Sequence, residues 1–196
     1  MDRITWKTIA VEVFSVVFAV LLALGLNSWR EERKNIQLGK KAVASIVLEM
    51  KSNIAELDDA ITNFNIRLDS LKLQQERLKN GSDEESSFGY DHPVLNKTAW
   101  NTANITQAVQ YMDTKLVMDI SEIYIVQDMY TDLGFSYFKV LTDVDFCNKE
   151  NIRAATESNR RQVEIAKGLG VNLKKAYTRF MEDHRETLIE MGADLD

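Results

Sequence analysis

Few residues in this chain are of types that carry out reactions. Among 196 residues there are two histidines and one cysteine. His92 stands beside Pro93, and His184 follows Glu182 and Asp183. A histidine supported by a carboxylate is the pattern of a general base. At consecutive helical positions, however, the side chains point to different faces, so Glu182-Asp183-His184 reads as surface charge. A zinc site needs several ligands at short spacing. The histidines are far apart in sequence and Cys147 is alone, which also excludes an intramolecular disulfide. Asp58-Asp59 and Asp83-Glu84-Glu85 would attract a divalent cation weakly, but neither has the spacing of a calcium loop. There is no Gly-rich phosphate loop and no Gly-x-Ser-x-Gly elbow. The sequence therefore calls for no enzyme activity, no cofactor and no metal.

The chemistry it does carry is that of a membrane span. From Thr8 to Ser28 the chain is apolar enough to leave water. At 1.5 Å per residue this is roughly 31 Å of helix, close to the thickness of a hydrocarbon core. Trp6 and Trp29 bracket the run as amphipathic rings do at the two interfaces. Glu12, about one turn inside the first interface, suits a snorkelling or protonated carboxylate. Glu12, Ser15, Ala19, Ala23 and Asn27 recur every three or four residues and so share one face. Ser15, Ala19 and Ala23 form a small-xxx-small ridge that lets a second helix approach, and Asn27 can hydrogen-bond across that contact. Phe14, Phe18, Leu21 and Leu22 form the opposite, lipid-facing side. The rival reading is a cleaved signal peptide, with Arg3 and Lys7 as its basic start and Ala23-Leu24-Gly25 as its cleavage site. The run is long for that role, and the helical pattern continues through Lys34.

The run from Glu12 through Ala23-Leu24-Gly25-Leu26-Asn27-Ser28-Trp29-Arg30-Glu31-Glu32-Arg33-Lys34 resembles the start of a widespread family of uncharacterised bacterial membrane proteins. These have one N-terminal transmembrane helix with an early acidic residue, an Asn-x-Trp-x-Glu-type end, and a helical domain. Ala44 to Asp58 is similar too, as is Thr98 to Ala103 with Tyr111-Met112-Asp113 and Ile120 to Tyr124. The chain departs from that family at Gln107 and Ala108, where its members often carry Gly. The resemblance implies a single-pass protein of a bacterial inner membrane with its soluble domain on the periplasmic side. It implies no activity.

The other elements hang from this anchor. The spacing predicts one helix continuing to about Lys79. Val43, Met50, Leu57, Phe64, Leu71 and Leu78 recur every seven residues, with Val47, Ile54, Ile61, Leu68 and Gln75 between them. Gly39 beside Lys40 marks a possible juxtamembrane bend. Asn80-Gly81 ends the helix and opens a loop over 80–96. Asn96 or Thr98 caps a short helix through about Val109, with Trp100, Ala103 and Gln107 facing inward. Asp113 caps a longer one carrying Leu116, Ile120, Ile123, Gln127, Tyr130 and Gly134 on one side. The aromatic cluster of Tyr124, Tyr130, Phe135, Tyr137 and Phe138 reads as core. Asp143 to Asn148 reads as a turn. A last helix follows from about Lys149, with a break at Gly168-Leu169-Gly170 and an apolar stripe resuming through Leu188.

The single proline and eight glycines favour long helices. The expected architecture is all-α: a tail over 1–7, a transmembrane helix over 8–29, and an up-and-down bundle over 30–196. A net charge of −6, with an acidic segment from Asp83 to Glu150, leaves no basic footprint for nucleic acid. The expected function is that of a non-catalytic, membrane-anchored interaction or scaffold protein. Its partners are membrane lipid and, through the transmembrane helix, a second copy or another membrane protein. The alternative is an extracytoplasmic ligand-sensing domain acting through a membrane partner. Arg30, Arg33, Lys34, Lys40 and Lys41, against Arg3 and Lys7, favour a cytoplasmic domain, opposite to the resemblance.

Overall fold

The computed structural model describes residues 6–81, 92–141 and 151–195. The tail before Trp6, the acidic run Asp83-Glu84-Glu85, the turn from Asp143 to Asn148 and Cys147 lie outside them. Among the described residues the chain is all-α. Helix α1 runs unbroken over Trp6–Lys79, 74 residues, or about 110 Å. Its N-terminal part is long and apolar enough to cross a membrane, and 0 % of that apolar window is buried in the protein. Beyond it come α2 (Thr98–Ile105), a 3-10 turn (Ala108–Tyr111), α3 (Thr114–Leu141), α4 (Ile152–Asp183) and the short α5 (Arg185–Glu190).

The cross-links between elements define an up-and-down bundle. Helix α4 is antiparallel to α1: the Arg153 guanidinium donates to the Leu78 carbonyl at 2.9 Å, Lys174 pairs with Asp58, and Lys40 donates to the Glu190 carbonyl at 2.9 Å. Helix α3 runs parallel to α1, with Tyr124 on Glu49 and Gln127 near Asn53. Between those two parallel helices the chain must descend. Residues 92–97, an irregular strap, then α2 and the 3-10 turn make that pass, from Asn96 beside Asn53 to Tyr111 beside Gly39.

All six residues of the seven-residue series from Val43 to Leu78 are buried. The intervening series is buried at Val47 and Leu68 and half-buried at Ile54, Ile61 and Gln75. A third row, Ile46, Asn53 and Ala60, is buried as well. Two rows suffice for a coiled-coil seam, but a helix facing several neighbours needs the wider stripe. The core is in two parts. A lower one gathers Met50, Leu57, Trp100, Ile120, Leu173 and Tyr177. The upper one holds Phe64, Leu68, Leu71, Val163 and Ala166.

Several local expectations are corrected. Gly39 does not interrupt α1. A Cβ there would sit 2.7 Å from the Tyr111 carbonyl oxygen, so the glycine lets the 3-10 turn press against the helix. The Gly168-Leu169-Gly170 segment does not break α4 either, because Gly170 is buried where a Cβ would meet the Tyr130 hydroxyl at 3.2 Å. Helix α2 stops at Ile105 rather than Val109, because Gln107 takes a left-handed φ of 58°. Gln107 is then exposed and Ala108 is buried in its place. The N-cap of α2 is Lys97, without a side-chain cap. Asp113 does cap α3, accepting from the N–H of Lys115 at 2.9 Å and of Leu116 at 3.1 Å. The aromatic cluster divides: Tyr124, Tyr130 and Tyr137 are core, whereas Phe135 and Phe138 are exposed.

In an open helix Gly→Ala gains about 1 kcal/mol. At Gly39 the sign should reverse, since a Cβ must displace main chain. Gly39→Ala is expected to destabilise the bundle by about 1–3 kcal/mol, read as a lower midpoint in denaturant unfolding of the detergent-solubilised chain. Trp100→Ala and Leu57→Ala, both in the lower core, should each lose about 2–5 kcal/mol in the same measurement.

Candidate functional site

The residues proposed for helix contact, Glu12, Ser15, Ala19, Ala23 and Asn27, all lie on α1 with their side chains exposed. The Ser15 hydroxyl donates to the Glu12 carbonyl at 2.9 Å, which satisfies it within its own helix. Among the described residues nothing covers this face. At the end of the apolar run, the Arg33 guanidinium lies 4.7 Å from the centre of the Trp29 ring, a cation–π contact one turn apart.

The reactive residue types are dispersed. His184 Nε2 meets Asp119 Oδ2 at 2.6 Å and its ring leans on Phe180. This ties the start of α5 to α3, so His184 does more than the surface charge assigned to it. Asp183 pairs with Arg179 on the exposed side of α4. His92 lies at the strap's upper end, its ring 4.5 Å from that of Tyr130. It occupies a notch left by Gly134, where a Cβ would fall 2.3 Å from the His92 ring. Burial pushes its imidazole below the usual range, and a hydrogen bond to the Tyr130 backbone opposes that in part. Among the described residues no group of three or more His, Cys, Asp or Glu side chains is placed to hold a metal ion.

The most organised polar site is the grip on the strap. The Asn53 side chain donates to the Asn96 carbonyl at 2.8 Å and accepts from the Asn96 N–H at 2.8 Å. Gln127 Nε2 donates to the same carbonyl at 3.0 Å, and the Tyr177 hydroxyl donates to Gln127 Oε1 at 2.5 Å. Asn53, Gln127 and Tyr177 are fully buried. They come from α1, α3 and α4, so one polar layer joins every long helix to the strap. Below it, Glu49 accepts from the Ala99 N–H at 2.7 Å and from the Tyr124 hydroxyl at 2.6 Å. A carboxylate from α1 thus supplies the N-terminal cap that α2 lacks in its own sequence. Lys97 pairs with Asp128 at 2.5 Å and clamps the strap to α3.

Burial raises the phenols of Tyr124 and Tyr177 well above their ordinary value. They remain protonated donors, which suits holding the strap rather than nucleophilic attack. Gln127 and Tyr177 fall on apolar stripes visible in the sequence. Asn53 falls on the third row of α1 and was missed. Only its type, an amide among core positions, marks it.

Not every buried polar atom is satisfied. The Tyr130 hydroxyl and Asn159 Nδ2 have no hydrogen-bond partner, although Asn159 Oδ1 accepts from Tyr137. Tyr130→Phe should therefore leave stability unchanged or raise it by about 1 kcal/mol, whereas Tyr177→Phe should lower it by about 1–2 kcal/mol. Asn53→Ala orphans the Asn96 N–H and leaves its carbonyl with Gln127 alone, and should destabilise by about 1–3 kcal/mol. Denaturant unfolding of the three variants tests the set. His92 adds a pH dependence. Its folded pKa lies below the unfolded value near 6.5, so its contribution is complete above about pH 6.5 and is lost as pH falls from there through the lower folded value. The melting temperature of the parent should fall more steeply from about pH 7 to pH 5 than that of His92→Gln.

Compared with known proteins, the chain matches no family model, and neither a curated protein nor a solved structure is similar to it.

Proposed function

We propose that this chain is a single-pass, membrane-anchored helical interaction or scaffold protein without catalytic activity. The observation that carries the reading is the continuity of α1. The apolar window is wholly uncovered, yet the same helix passes without a break into the bundle, with Gly39 its first buried position. A cleaved signal peptide has no use for such continuity. The uncovered apolar surface is the size of a bilayer crossing, and Trp29 with Arg33 fits its exit at the interface. The small-residue face, Ser15, Ala19 and Ala23, flanked by Glu12 and Asn27, is where another membrane helix docks. The buried layer of Asn53, Gln127 and Tyr177 is committed to holding the chain's own strap, which supports a role in binding rather than in a reaction.

The resemblance to bacterial inner-membrane proteins supports a periplasmic bundle, and the basic residues after Trp29 oppose it. A topology reporter fused after Asp196 decides between the two sides.

Carbonate extraction followed by intact-mass measurement should find the chain in the membrane pellet with residues up to Trp29 retained. A soluble product starting near Leu26 would sink the reading. For the helix face, Ala19→Ile should reduce cross-linking in bilayers by about tenfold, as one lost close contact implies. Leu21→Ile, on the lipid side, should match the parent.

A further inference from the structure

The outer face of α3 and α4 leaves several large apolar side chains in solvent. Met129 and Ile125 on α3 are 67 % and 56 % exposed, and Ile165 and Leu169 on α4 are 49 % and 40 % exposed. Met129 and Leu169 are level with one another, Ile125 lies a turn nearer the membrane, and Ile165 a turn farther from it. Tyr130 meets Gly170 in the core, so the residues just before them, Met129 and Leu169, stand side by side on the outer surface. Leu133 packs with Val163 and Ala166, which sets Ile165 at the next level up. Toward the membrane the same groove opens into a cleft of about 400 Å³, lined by the buried Ile123 and Phe180 and by Val126, Ala176, Glu122 and Arg179. Soluble surfaces rarely leave such a row of large apolar side chains in water.

We infer that the α3–α4 face is the contact surface for a second copy of this chain, paired about a two-fold axis along the bundle. The inference rests on the reading of residues 8–29 as a membrane span, because the anchor fixes the geometry. Two copies inserted in the same sense can be related only by an axis along the membrane normal. Such an axis keeps every residue at its own height and lays α3 of one copy against α4 of the other.

That exchange matches the charges. On the outer edge, α3 carries Glu122 and α4 carries Arg179. Ile123 and Phe180 line one cleft, so Glu122 and Arg179 are at one height, and the axis brings Glu122 opposite Arg179 of the partner subunit. Among the described residues Arg179 gives up one exposed pair, with Asp183 at 3.3 Å. Met129 meets Leu169 of the partner subunit in the same way, apolar on apolar. Two helices of this length side by side present on the order of 800 Å² per partner, the size of a stable interface. The strap and α1 pack on the other side of α3 and α4, so the small-residue face of the anchor stays free.

The test is the association state of the full-length chain in detergent micelles and nanodiscs, by sedimentation equilibrium and mass photometry. The parent is expected to be a dimer. Met129→Asp, an exposed position whose change leaves the melting temperature alone, should weaken the dimer by about tenfold or more, as burying a carboxylate in an apolar contact demands. Glu122→Arg should weaken it too, and combining Glu122→Arg with Arg179→Glu should restore it. A monomeric parent overturns the inference. So does a dimer that survives both Met129→Asp and Glu122→Arg, or one lost only in Ala19→Ile, which would put all association in the anchor. Failure of the membrane reading shows separately, as loss of the chain from the carbonate pellet.

Discussion

The fold depends on one reciprocal hydrogen bond, between the amide of Asn53 and the main chain of Asn96. The bundle has four passes, but its second pass is not helical where it enters. The irregular strap there has no ladder of its own, and partly enclosed main chain without partners is costly. Asn53 offers one donor and one acceptor at the spacing of a neighbouring strand and so acts as a single rung of a sheet. Gln127 and Tyr177 complete the layer. Once Asn96 is fixed, Lys97 reaches Asp128, Ala99 reaches Glu49, and the Trp100 ring stacks on Tyr124 at 5.7 Å. The position of α2 follows from these contacts more than from its own short sequence.

The long periodic elements were legible in the sequence, and their punctuation was not. The heptad series from Val43 to Leu78 named its core positions because spacing alone decides which side of a helix faces inward. Asp113 was legible as a cap because a cap is a local interaction. The glycines were misread for one reason: Gly39 and Gly170 look like weak points along the chain, and their purpose is set by residues far away, Tyr111 and Tyr130. The capping of α2 by Glu49 is likewise a contact across 50 residues. The face formed by Glu12, Ser15, Ala19, Ala23 and Asn27 was legible as a pattern, and the bundle leaves it exposed.

Charge has a different place at the two ends of the bundle. At the distal end, Arg160 and then Arg161, with Gln75, hold the Glu157 carboxyl at about 2, far below the usual carboxylate range. Arg160 and Arg161 brace Glu157 within α4, and Gln75 donates to it from the last turns of α1, all through side chains that solvent still reaches. Nearer the membrane, Glu49 is partly enclosed and is spent on a main-chain N–H and a phenol. The distal ties should therefore weaken with added salt, while the strap layer, built mainly of neutral groups, should be nearly indifferent to it.

The unbroken course of α1 makes it a torsion rod. Ala23 in the anchor and Met50 in the core are about seven and a half turns apart, so they point to opposite sides of one stiff cylinder. The bundle is thus carried on the side of the rod away from the small-residue face, and no flexible joint lets the two drift out of phase. Any twist imposed on the anchor by a neighbouring helix must swing the whole bundle through the same angle. A tilt of a few degrees in the bilayer likewise becomes a displacement of several ångströms at the distal end, some tens of ångströms above the membrane.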